Sequence, residues 1–180
     1  MKKVIRFHLC ALTLILTVAC AFPESSAQAK STPINVALFT PVQIFPADYD
    51  VAGVRLNLIY GKNAALTGID VGLVNRLTGP SVGLQYGIVG IADDDFSGWQ
   101  DDFVAITKGN FTGLQTGFVT SAGQAVGLKW GFVNYAGDMN GLMIGFVNYT
   151  RTLKGLQIGL VNIIRQGGMM PVFPIVNWSF

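Results

Sequence analysis

Beyond residue 29 this sequence has no cysteine, no histidine and no glutamate; Cys10, Cys20, His8 and Glu24 all precede that point. These absences exclude a disulfide framework, thiolate nucleophiles, His-dependent triads and the common transition-metal sites. No serine sits in a nucleophile motif, so a non-enzymatic protein without a cofactor is expected. Charge is scarce too, at 12% of residues. Once Lys2, Lys3, Arg6 and Glu24 are set aside, nine Lys/Arg face nine Asp. A net charge of zero exerts no long-range pull on nucleic acid. What the chain has in quantity is glycine, 22 residues, and apolar side chains, 51%. Such a balance is unusual for a soluble protein.

The amino terminus reads as a secretory leader, residues 1–29. Lys2, Lys3 and Arg6 form a basic start, and Leu9 to Phe22 an apolar stretch short for a membrane span. Ala27-Gln28-Ala29 supplies a small-x-small cleavage site. The alternative is a loose lipobox, Thr17-Val18-Ala19-Cys20, which leaves a lipidated Cys20. Cleavage after Ala29 leaves 151 of the 180 residues, enough for one β-repeat domain over 30–180.

That domain writes one phrase eight times, Gly-Leu-x-φ-Gly-φ-Val-Asn with φ apolar. The phrases open at Gly53, Gly68, Gly83, Gly98, Gly113, Gly127, Gly141 and Gly155, in steps of 15 and then 14. So short a unit holds a strand and a turn and little else. Read with period two, one face carries Leu156, Ile158, Leu160 and Asn162, with Leu128, Trp130, Phe132, with Leu142, Ile144, Phe146, and with Leu84, Tyr86, Ile88. The other carries Arg55, Asp70, Gln85, Gln100, Gln115, Lys129, Met143 and Gln157, flanked by glycine. A helix with interior glycines every four residues would lose about 1 kcal/mol at each. Flanking segments 34–45 and 171–180 bring the strands to about ten.

Two all-β architectures use ten strands. A parallel β-solenoid of 14–15-residue coils suits the regular spacing and the recurring Asn75, Asn134, Asn148 and Asn162. So thin a coil, however, has no interior room for Trp130, Phe132, Phe146 and Tyr86. The expected fold is therefore an antiparallel up-and-down meander closed as a barrel. The end of the chain, Val172 to Phe180, resembles the terminal strand of outer-membrane barrels. That likeness places the apolar face against lipid and the Gln row in a narrow lumen, in an outer membrane reached through barrel-insertion machinery. Three outward residues cover only about 17 Å of strand, short of the ~25 Å band such barrels show. The alternatives are a soluble or lipid-anchored module binding a lipid or apolar ligand, and a small pore.

Few residues suggest chemistry. Asp93, Asp94 and Asp95 are weak candidates for Ca²⁺, against a solvated acidic loop. Asp101 falls on the apolar face, where it must lie near an interface, find a partner, or mark a departure from the pattern. Tyr60, Trp99, Trp130, Tyr135, Tyr149 and Trp178 are either interfacial anchors or ordinary strand residues. The polar row either lines a passage or fills a plugged interior.

The phrase Gly-Leu-Gln-x-Gly-φ-Val-Asn, the run Val54 to Gly61 and the ending Pro171 to Phe180 together resemble the bacterial surface-repeat proteins first noticed in leptospires. The likeness covers nearly all of 35–180. It implies an exported, envelope-associated protein with no catalytic residues to carry over. The fourth copy, Gly98 to Ala105, departs by losing its second glycine.

Overall fold

Each repeat phrase forms one coil, and each coil lies on the one before it in the same direction. A computed structural model describes residues 30–180; the expected leader, with Cys20, lies outside them. The elements are β1 (Ser31–Phe39), β2 (Val42–Gln43), β3 (Asp50–Asn63), β4 (Leu66–Leu77), β5 (Ser81–Ala92), β6 (Phe96–Ile144), β7 (Val147–Gln166) and β8 (Val172–Ser179). No helix occurs among the described residues. From β1 through β7, neighbours in the stack pair parallel. Gly53 stands opposite Gly68, Gly68 opposite Gly83, Gly83 opposite Gly98, and Gly141 opposite Gly155. The 49-residue β6 winds through several coils without interruption.

This is a β-solenoid of about nine turns, not a barrel. The antiparallel meander is thereby overturned, and with it the basis for a lumen and for barrel-insertion machinery. The physical reason is plain. The solenoid was set aside because its interior cannot hold the bulky apolar residues, but they do not enter it. The interior takes the small and polar side chains instead, and the bulky ones stand outside.

Five positions per coil turn inward, as in Phe96, Gln100, Asp102, Ala105 and Thr107. Apolar side chains gather where the two limbs of each coil meet, in a seam that includes Val51, Leu66, Leu77, Phe96, Phe111, Met139, Leu153 and Ile164. Phe96 and Phe111 stack there, ring centroids 6.2 Å apart. The polar positions occupy the bend. Strict alternation fails at that bend, because Leu160 and Val161 both keep outward exposure while Asn162 turns in and is fully buried. Asn162 therefore does not share the face of Leu156, Ile158 and Leu160.

Close stacking explains the opening glycine. Gly83 has φ of +140°, and a Cβ there would lie 1.8 Å from the carbonyl oxygen of Gly68. Only glycine fits such an approach and such an angle. The ends of the stack are covered. At the amino end, Asn35 and Asn63 donate to the carbonyls of Phe45, Pro46 and Tyr49. At the carboxyl end β8 turns back antiparallel along β7, with Leu156 opposite Trp178 and Ile158 opposite Val176.

Candidate functional site

The in-register stack turns every position of the repeat into a file of equivalent side chains, several inside and three on the outer apolar face. Inside, the row at Arg55, Asp70, Gln85, Gln100, Gln115, Lys129, Met143 and Gln157 is fully buried. Arg55 holds Asp70 bidentately, Nε to Oδ1 at 2.8 Å and Nη2 to Oδ2 at 2.5 Å. Gln85 then donates to Asp70 at 3.0 Å, Gln100 to Gln85 at 2.8 Å, and Gln115 to Gln100 at 2.6 Å. Lys129 Nζ donates to Gln115 Oε1. From Gln85 to Lys129 every one of these donors points toward the amino end, and Arg55 alone points the other way. These side chains fill the interior and bond one another along the stack. Met143 breaks the series, and Gln157 bonds the Met143 sulfur and the carbonyl of Ile163.

A second interior ladder runs the opposite way. Asn134 donates to Asn148 and Asn148 to Asn162, both at 2.8 Å, and each also takes a backbone carbonyl of the next coil at 2.9 Å. The recurring Asn thus satisfies backbone groups at the bend, which would cost free energy if left unpaired. Where the Asn is missing, an opposing side chain fills the space. Gly61 has Asn57 against it, and a Cβ on Gly90 would lie 1.9 Å from Asp102 Oδ2. Asp102 replaces the second glycine of the fourth copy, and its two oxygens have no hydrogen-bond partner. Burial, with Asp70 and Asp101 nearby, pushes its carboxyl up to about 8. Burial also lowers the Lys129 ammonium to about 7.

Outside, three columns cover one limb. The first holds Val54, Ile69, Leu84, Trp99, Leu114, Leu128, Leu142 and Leu156. The middle holds Leu56, Val71, Tyr86, Asp101, Thr116, Trp130, Ile144 and Ile158. The third holds Leu58, Leu73, Ile88, Phe103, Phe118, Phe132, Phe146 and Leu160. Trp130 is 62% exposed, Phe103 57% and Leu160 54%, whereas Leu84, Leu128, Leu142, Ile144 and Leu156 are half-buried between neighbours. Phe103, Phe118, Phe132 and Phe146 stack at 5.1, 4.9 and 4.8 Å with ring planes 8°, 2° and 7° apart.

One polar spot interrupts this face. Thr116 donates to Asp101 Oδ1 at 2.5 Å, and Trp99 Nε1 donates to Thr116 at 3.1 Å. Asp101 thus stays on the apolar face and is partnered there. The two-residue spacing located the face, but Asp102, Thr116 and the stacked Phe103–Phe118 pair escaped it. Comparing copies fifteen residues apart would have found all of them.

The acidic triplet does not converge on one point. Asp93 lies 2.8 Å from Arg76 and 2.6 Å from Lys108, and the Lys108 contact, with Arg76, holds its carboxyl below the usual range. Asp95 accepts from the Asn110 amide at 2.7 Å, and Asp94 accepts from the amide of Asp95. Among the described residues no three such side chains gather as metal ligands. Tyr135 and Tyr149 stack 5.3 Å apart on the other limb, beside Asp138 and Arg151. No family model, curated protein or solved structure matches this chain, so the reading of its function stands on this geometry.

Proposed function

We propose that this chain is a non-catalytic, exported cell-envelope repeat protein that works by docking its three-column apolar face against another apolar surface. The carrying observation is the inverted partition, with amides and ions inside and large apolar side chains outside on one face. Soluble monomers rarely expose contiguous apolar patches beyond a few hundred Å². The basic-apolar start with Ala27-Gln28-Ala29 supports export, and the resemblance to leptospiral surface-repeat proteins points to the envelope. The zero net charge beyond residue 29 speaks against nucleic acid as the partner.

Phase separation in a cloud-point detergent tests the reading. The native protein is expected to enter the detergent phase or to self-associate in buffer, and Phe118→Asp to remain aqueous and monomeric. A native protein that stays aqueous and monomeric overturns it.

A second reading has its own observation. Within the amino end of the face lies an apolar depression of about 640 Å³, lined by Val36, Leu58, Leu73, Tyr86 and Ile88 with Gly72 and Gly87 among its walls. Those dimensions suit a lipid acyl chain. Organic extraction of the purified protein followed by mass spectrometry checks it, and a lipid-free extract removes it.

A further inference from the structure

We infer that the surface covering this face is a second copy of the same chain, packed face to face about a two-fold axis parallel to the strands. The inference rests on the docking reading above and names the partner.

Size comes first. The face has ten rows: β1 with Ile34 and Val36, the eight repeats, and β8 with Trp178 and Val176, which continue the first and middle columns. Ten rows at the usual strand spacing are about 43 Å tall, and three columns about 17 Å wide, or roughly 700 Å² per copy in projection. Two such faces cover about 1,400 Å² together, within the range of specific stable interfaces.

Pattern comes second. A two-fold axis along the strands keeps each column on itself and reverses the row order, so row one meets row ten and row five meets row six. Row five carries Asp101 and row six Thr116 in the middle column. The one polar spot of the face therefore sits at its centre, and Asp101 of each copy meets Thr116 of the other. One step outward, Tyr86 meets Trp130 of the second copy. In the third column Phe103 meets Phe118 and Ile88 meets Phe132. Polar meets polar and aromatic meets aromatic, as a self-complementary patch requires. The other possible axis, along the stack, lays Asp101 directly on Asp101 of the second copy, where like charges repel.

The test is a thiol cross-link in the full chain with Cys10 and Cys20 replaced by serine, since no other cysteine is present. Tyr86→Cys and Trp130→Cys are combined in one chain and treated with a short bismaleimide. Facing sheets lie about 10 Å apart, within reach of such a reagent. Within one chain these residues are three coils, or about 14 Å, apart along the stack. The expected result is a dimer by light scattering before treatment and a covalent dimer after it, with Tyr86→Cys alone giving little. Efficient cross-linking of Tyr86→Cys alone, or none in the double variant, overturns the assigned axis. A monomer that instead floats with phosphatidylethanolamine–phosphatidylglycerol vesicles assigns the face to lipid and overturns the dimer while leaving the docking reading intact. Both substituted residues are exposed on the outer face, and an unchanged circular dichroism spectrum verifies the fold.

Discussion

Replacing Lys129 with glutamine should stabilise the protein at neutral pH and weaken it slightly at pH 10. Lys129 is the one cation that follows a stack of three amides, fully buried, with its ammonium lowered to about 7 by burial. An unfolded lysine titrates near 10.4. Between those values the unfolded chain binds a proton that the folded chain has released, so stability rises with pH from about 7 to about 10. Across that window the linkage amounts to about 4 kcal/mol, present as a penalty at pH 7 and below. A glutamine in this place donates to Gln115 Oε1 just as Gln115 donates to Gln100. It forfeits the lysine stem and the ammonium 6.0 Å from the Phe111 ring, together about 1–2 kcal/mol. The net gain is about 2–3 kcal/mol at pH 7, a rise in Tm of roughly 5–10 °C for a chain of this size. Urea denaturation of both proteins at pH 5, 7, 9 and 10 reads the difference directly, because the other titrations cancel. The reasoning is refuted if the variant is the weaker protein at pH 7, or if the difference does not shrink between pH 7 and 10.

Asp102 carries the opposite slope. Its carboxyl, raised to about 8, holds a proton in the folded chain that the unfolded chain has lost, so stability present below about pH 4 fades as pH rises through 8. Asp102→Asn should remove a decline of about 5 kcal/mol over that range, and a melt series from pH 4 to 8 that retains the slope contradicts this. Gly83→Ala drives a Cβ into the Gly68 carbonyl at a positive φ and should cost more than about 3 kcal/mol, seen as a lowered urea midpoint or loss of soluble protein. Asp93→Asn, by contrast, removes only partly exposed ion pairs with Arg76 and Lys108. Less than about 1 kcal/mol, declining with salt, is expected in the same assay.

The sequence made the period, the all-β class and the sidedness of Leu against Gln readable, because spacing and alternation fix them directly. Strand direction was not readable. A period-two pattern separates two faces without saying which is inside, and the habit of placing Trp130 and Phe132 in a core excluded the coil that leaves them out. The opening glycines held the missing information: a residue type that recurs in register because a neighbouring carbonyl lies against it marks stacking of like on like. The bend was hidden for another reason. Asn162 follows Val161 in sequence, and alternation assigns it outward, yet its amide is needed by the carbonyl of Gly159 at 2.8 Å. The exchange of glycine and polar residue between Asn57 and Gly61, and between Asp102 and Gly90, was visible only by laying copies over one another.

A closed cylinder must choose its circumference, but this stack has no such constraint. Each coil meets only its two neighbours, so inserting or deleting one whole 15-residue unit lengthens or shortens the molecule by a single layer and disturbs nothing else. The interior tolerates such edits where amides follow amides, as from Gln85 to Gln115, and resists them at the Arg55–Asp70 pair, whose charges must stay adjacent. Growth would nonetheless move the midpoint of the apolar wall away from Asp101 and Thr116. Homologous chains of different length should therefore carry their one hydrophilic interruption at a correspondingly displaced layer.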